Sequence, residues 1–247
     1  MPYPAALKPP TLAVITTTDP VAGLLPTLLG RLSALAMTRG EIIEVVIVDD
    51  LKQWPAPDLT ILPDFTGLHI KTLWYPERRG QLSAMLAGVA QTRCPMIYTT
   101  DPDMFACVSE LPEMLDQLDD NTILLHGVRS RRADVGLVRR IGSHLANVIV
   151  STLTGIQTAD LGSPIALLQA ARIQPILDEG AEAANPRLYL YARLGNAARS
   201  YPLENGAQKG VPSQYRLFTL VALFFRLIRQ SIEIRQKLNA AASTTHQ

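Results

Sequence analysis

Two short runs rich in Val, Ile and Thr, Thr11–Thr18 and Ile42–Asp50, bracket a stretch in which Leu24, Leu25, Leu28, Leu29, Leu32 and Leu35 recur at helical spacing. The runs read as buried strands and the stretch between them as a helix. Two strands joined through one helix pair in parallel, with a right-handed crossover. This unit commits the chain to an α/β sheet.

The pattern continues with a strand at Leu68–Tyr75, a small-residue helix at Gln81–Gln91 and a strand at Met96–Thr100. A helix follows at Leu111–Leu118 and a strand at Thr122–His126. Helical spacing returns at Leu137–Leu153 and at Ile165–Leu177, the latter entered through Pro164. A last strand falls at Ala198–Leu203, and a long helix spans Ser213–Leu238. Trp54–Pro63 and Gly206–Pro212 read as loops, and Ala240–Gln247 as a tail that frays. The expected organisation is an α/β domain over residues 1–212, then a C-terminal amphipathic helix and tail over residues 213–247.

With 247 residues the chain buries a core without covalent staples. Its formal net charge of +1 exerts no general pull on nucleic acid. Cys94 and Cys107 lack metal-ligand spacing and the four histidines are scattered, which argues against zinc and for a reducing compartment. His126 and His144 read as hydrogen-bonded core or rim residues. The N-terminus carries no basic stretch followed by an apolar one, so no secretory signal is expected. The apolar run Leu217–Phe225 falls short of the roughly 20 residues that cross a bilayer. The expected location is therefore cytoplasmic, or peripheral on the inner face of the membrane.

Two acidic pairs stand at strand ends: Asp49 and Asp50 close the second strand, Asp101 and Asp103 the fourth. Open α/β sheets bind ligands outside the carboxyl ends of their strands. Carboxylates spaced i, i+2 on an extended segment point the same way and share one hard cation, Mg2+ or Mn2+, which bridges a diphosphate. The alternative, that each pair caps a helix or turn, stays open.

The segments Val14–Pro20, Val46–Asp50, Arg79–Ala90 and Tyr98–Asp103 together resemble, in order and spacing, the family 2 glycosyltransferases. The likeness is nearest to the polyprenyl- or dolichyl-phosphate sugar synthases. It continues through Gly127–Arg129, Arg139–Asn147 and Ala159–Ser163, over roughly residues 11–215. The resemblance implies a GT-A fold (Rossmann-like, with a mainly parallel central sheet), an α-rich C-terminal extension, and inverting transfer of a sugar from a nucleoside-diphosphate sugar. It implies donor binding by Thr17, Asp19, Asp49, Asp50, Gly80 and Asp101, and a metal on Asp101 and Asp103. Asp103, Asp160 and Arg129 would carry catalysis, with Asp160 near the acceptor or sugar; an N-cap of a following helix is the other reading of Asp160. Gly88 reads as a helix-packing residue. The sequence departs from the family where Asp19-Pro20 and Leu51-Lys52 stand, so a degenerate nucleotide-binding module remains an alternative. A nucleotidyltransferase is another, although Thr16–Gly23 lacks a lysine-bearing phosphate loop.

Arg129, Arg131, Arg132, Arg139 and Arg140 fall within a dozen residues. Guanidinium forks grip phosphate bidentately, so Arg129, Arg131, Arg139 and Arg140 are candidates for an acceptor phosphate; a solvated basic loop is the plain alternative. A lipid phosphate is already ionised and needs no general base. In the C-terminal helix Leu217, Leu220, Val221, Phe224, Phe225, Leu227, Ile228 and Ile232 form a broad apolar face opposite Arg226, Arg229, Glu233 and Lys237. That face suits peripheral membrane contact, a homo-oligomer interface or packing on the domain.

Overall fold

The computed structural model describes residues 9–18, 23–49, 64–74, 81–129, 137–156, 160–205 and 217–244. Alternate residues of β1 (Leu12–Thr17) enter two different cores, and this sets the architecture. Leu12 and Val14 pack with Leu25, Leu28, Leu29 and Leu32 of α1 (Leu24–Arg39). Ala13 and Ile15 pack with Val46 and Val48 of β2 (Ile43–Asp49) on the other face. Strands buried on both faces need largely apolar runs, which is how β1 and β2 read in sequence; Glu44, buried near the start of β2, is paired with Lys71 Nζ at 2.8 Å.

The remaining strands are β3 (Leu68–Trp74), β4 (Met96–Thr99), β5 (Leu124–Arg129), β6 (Ala166–Gln169) and β7 (Ala198–Leu203). The described residues build one seven-stranded sheet in the order β3-β2-β1-β4-β6-β5-β7. Only β6 runs antiparallel to its neighbours β4 and β5; the other pairs are parallel. The ends of β1, β2, β4 and β5 therefore lie along one edge, together with the turn that leads into β6.

On one face, α2 (Gln81–Val89) lies on β1 and β2. A Cβ at Gly88 would collide with Ile15 Cγ2 and sit 3.2 Å from Val48 Cγ2, so glycine permits this close approach. Alanine is favoured over glycine by about 1 kcal/mol in a helix. Overpacking at the strand surface outweighs that gain. Gly88→Ala is expected to lower Tm by about 2–8 °C, measured by calorimetry; an unchanged or raised Tm would show that α2 does not sit this tightly.

Three sequence expectations need correction, and one helix is new. Ile165–Leu177 is not one helix: Ala166–Gln169 is strand β6, and α5 (Ala170–Glu179) begins after it. A short apolar run is ambiguous by periodicity. Vacant edges on β4 and β5 decide it, and burial of Ile165 and Leu167 on one face with Ala166 and Leu168 on the other completes the strand. The chain between Leu177 and Ala198 holds a further helix, α6 (Pro186–Leu194), capped by the Asn185 side chain, which accepts from Leu188 N at 3.1 Å. Asp101 and Asp103 do not share an extended segment. Asp101 is extended (φ −103°, ψ 155°), but a 3-10 helix over Pro102–Glu110 starts immediately, because Pro102 suits a first helical position, and places Asp103 in its first turn. It runs into α3 (Leu111–Asp116). Finally, the C-terminal helix α7 (Leu217–Thr244) extends through much of the stretch expected to fray.

α7 packs on α4 (Leu137–Thr154) and α6, seating Ile234 in the core beside Leu227 and Leu238. Phe225 (65% exposed) and Ile232 face outward, as do Leu145 and Val148 of α4. Among the described residues, no helix is long and apolar enough to cross a membrane.

Candidate active site

The order of the sheet reverses at β1: the chain goes from β1 to β2 on one side and returns to β4 on the other. A crevice opens outside the strand ends at such a switch point. The acidic groups converge there. Thr17 at the end of β1 donates from Oγ1 to Asp101 Oδ1 at 3.4 Å. Thr18 Oγ1 donates to Asp49 Oδ1 at 2.9 Å, and Asp49, the last residue of β2, is buried. Asp101 makes no side-chain capping hydrogen bond to the helix it precedes. The helix-capping alternative therefore fails for Asp101.

Arg129, the last residue of β5, adds the cation. Its Nε–H donates to Asp160 Oδ2 at 2.7 Å and its Nη2–H to Asp160 Oδ1 at 2.9 Å, a bidentate pair. Burial disfavours the guanidinium charge, but the Asp160 hydrogen bonds and the charges of Asp160, Asp103 and Asp101 outweigh it and raise the pKa. Arg129 thus lies in the electrostatic field of Asp101 and Asp103 as well as Asp160. Asp160 has φ 51°, left-handed for a residue with a side chain, a conformation that costs roughly 1 kcal/mol or more. No helix follows it, so the N-cap reading fails; it opens a turn in which Ser163 N donates to its carbonyl at 2.8 Å. Thr99 Oγ1 donates to Pro164 O at 2.7 Å and ties this turn to the end of β4.

Sequence reasoning missed two supports. Glu110, buried at the end of the 3-10 helix, accepts from Glu204 N at 3.1 Å and Asn205 N at 3.0 Å, fastening the Asp103-bearing helix to the exit of β7. Arg187 and Tyr191, one helical turn apart on α6, reach toward His126 on β5. The Asn185-Pro186 start signal was present in the sequence, but nothing there places α6 beneath β5. His126 is fully buried and hydrogen-bonded, as expected, and both cysteines are buried. Of the candidate donor and phosphate residues, Asp19, Asp50, Gly80 and Arg131 lie outside the described residues. Arg139 and Arg140 fall in the first turn of α4.

Among the described residues, no three His, Cys, Asp or Glu side chains gather into a metal cage. A Mg2+-type site does not need one: one or two carboxylates with phosphate oxygens and waters suffice. Asp101 and Asp103, flanking the turn at the switch point, fit that role.

A doubly wound sheet with carboxylates at its switch point and a paired arginine beside them defines a ligand-binding α/β protein. The model of glycosyl transferase family 2 matches residues 15–169, and the chain belongs to that family. It is 26% identical over 208 residues to the undecaprenyl-phosphate 4-deoxy-4-formamido-L-arabinose transferase of Klebsiella pneumoniae, covering 83% of this chain and 62% of that protein. The Pseudomonas aeruginosa protein of the same name is 26% identical over 175 residues, 69% of this chain and 51% of that one. The chain thus spans about three fifths or less of the length of these curated relatives. Among solved structures, the glucosyl-3-phosphoglycerate synthase of Mycobacterium tuberculosis superposes with TM-score 0.59 at 15% identity, covering 92% of this chain and 80% of that one. The mannosyl-3-phosphoglycerate synthase of Rubrobacter xylanophilus gives TM-score 0.59 at 14% identity, covering 94% and 75%. The fold is GT-A.

Proposed function

We propose that the protein transfers a sugar, with inversion, from a nucleoside-diphosphate sugar to a polyprenyl phosphate or another membrane-associated acceptor. The observation that carries this reading is the convergence of Thr17, Asp49, Asp101 and Arg129 on one sheet edge in a family 2 chain. Asp49, with Asp19, Asp50 and Gly80, holds the nucleoside end of the donor. Asp101 and Asp103 would hold Mg2+ or Mn2+, which would supply positive charge to offset that of the diphosphate. The relatives' names support a polyprenyl phosphate acceptor, and the M. tuberculosis neighbour was crystallised with Mn2+ and UDP-glucose.

An ionised phosphate oxygen attacks without a general base, so the chain's task is positioning and charge stabilisation. Arg129 meets the phosphate charge, assisted by Arg131, Arg139 and Arg140. Asp160 acts by holding Arg129 rather than by moving a proton, because both of its oxygens engage that guanidinium. The outward Phe225, Ile232, Leu145 and Val148 support peripheral contact with the acceptor's membrane. α7 carries Phe225 and Ile232 and α4 carries Leu145 and Val148, and cytoplasmic residence follows from the donor.

Thermal shift with UDP- and GDP-sugars tests the donor site. A ligand at 100 times its Kd stabilises by about 2.7 kcal/mol, here a Tm rise of about 5–10 °C, and this rise is expected only with Mn2+ or Mg2+ present. Asp103→Asn is expected to weaken metal-dependent binding about 10-fold with the fold intact. Equal stabilisation in excess chelator removes the metal from the reading. Silence with every nucleotide tested favours the degenerate module.

A further inference from the structure

We propose that His126 is a positioning residue for the transfer reaction: its Nε2–H holds the Asp160 carbonyl, and so keeps Asp160 in the left-handed turn from which its carboxylate grips Arg129. The inference rests on the sugar-transfer reading of this edge and names a residue that reading does not use.

The tautomer follows from the partners. Nε2 lies 2.9 Å from the Asp160 carbonyl oxygen, and a carbonyl only accepts, so Nε2 carries the hydrogen. Nδ1 lies 2.8 Å from the Tyr191 hydroxyl and 3.4 Å from Arg187 Nη2, two groups that donate. Both meet a lone pair only if Nδ1 is bare. The Tyr191 ring stands edge-on to the imidazole, with ring centroids 5.3 Å apart. Arg187 Nη2 also donates to the Ser163 carbonyl. The turn from Asp160 to Ser163 is therefore held at both ends by one network reaching in from α6.

That network answers a specific need. A left-handed aspartate persists only where its surroundings over-determine it, and here Asp160 O takes hydrogen bonds from His126 and from Ser163 N. An apolar side chain would fill the same volume in the core but leave that carbonyl with a single protein donor among these two. The charged and titratable groups facing the imidazole are Arg187 and Tyr191 from α6, Asp160 from the turn and Arg129 from its own strand. Burial, followed by the Arg187 charge, pulls the His126 pKa down to about 4, so the single tautomer persists through neutral pH.

The test compares His126→Leu, His126→Gln and Tyr191→Phe in the full chain. The Gln amide can place a donor where Nε2–H stood. With a nucleotide sugar and polyprenyl phosphate in vesicles, His126→Leu is expected to lower kcat about 30- to 100-fold, the scale of a small misplacement, with donor KM changed less than about 3-fold. His126→Gln should recover most of the loss, and Tyr191→Phe should fall between. In an Arg129→Ala background, His126→Leu should remove less than a further ~2-fold, because both changes act through one pair. A residue that merely fills the core would show an additive loss and no rescue by Gln. Wild-type kcat in His126→Leu or Tyr191→Phe, full additivity, or failure of Gln to rescue overturns the proposal. If the wild type transfers no sugar, the functional reading has failed, and the Arg129 Nε–H resonance still decides the role of His126. That hydrogen should exchange at least ~10-fold faster in Tyr191→Phe and His126→Leu than in wild type; equal protection overturns the proposal.

Discussion

Arg129→Ala is expected to reduce sugar transfer by about 10³-fold and to destabilise the fold by about 3–5 kcal/mol. The second figure arises because the variant leaves the Asp160 carboxylate, 9% exposed at its side chain, without the cation it was built around. A domain of this size should then melt roughly 6–20 °C lower. Pairing the change with Asp160→Asn separates the two effects. Arg129→Leu with Asp160→Asn removes both charges, and an uncharged pair of similar bulk avoids the orphaned ion. The double variant is expected to regain most of the stability and none of the activity. Calorimetry and a transfer assay on the same samples decide it. A single variant that melts within about 2 °C of wild type would mean that the pair opens to water. An active double variant would remove Arg129 from the chemistry.

A second expected result is a loss of about 3 kcal/mol of stability between pH 6.5 and pH 4 that traces to His126 alone. Its ordinary pKa of 6.5 falls to about 4 in the folded protein, through burial and then the Arg187 charge. Over that interval the unfolded chain binds a proton at this position and the folded chain does not, so stability rises with pH. The contribution is complete above about pH 6.5 and disappears as pH falls through about 4, at ~1.4 kcal/mol per unit. Urea midpoints for wild type and His126→Gln across this range should converge as the medium acidifies. Carboxylates such as Glu179, pulled down first by the Tyr189 hydroxyl, lose their contribution at lower pH in both proteins. Parallel curves for the two proteins would show that His126 takes up its proton as readily in the folded protein as in the unfolded chain.

Local signals account for much of this architecture. β1, α1, β2 and β4 were legible because each carries enough β-branched or helically spaced apolar residues to choose its own conformation. The strand-end carboxylates were legible because an unpaired charge is costly inside a buried parallel strand; Glu44, within β2, is instead paired with Lys71 of β3. The GT-A reading drew on the order of such segments, and the family match and superposed folds agree with it. Where the reading failed, the local preference was weak. Ile165–Leu168 satisfies helix and strand alike, and Pro102 turns the chain into a helix between the two acids.

What the amino-acid order determined by itself was the parallel α/β core and the residue types at the ends of its strands, since both follow from periodicity over a few residues. Only the tertiary structure decided that Asp160 would meet Arg129, 31 positions away, and that His126 would lie between Asp160 and Tyr191, 65 positions from the latter. Such pairings depend on which sheet edge remains vacant for β6 and on where α6 docks. Those are long-range packing outcomes, and no local preference in the chain encodes them.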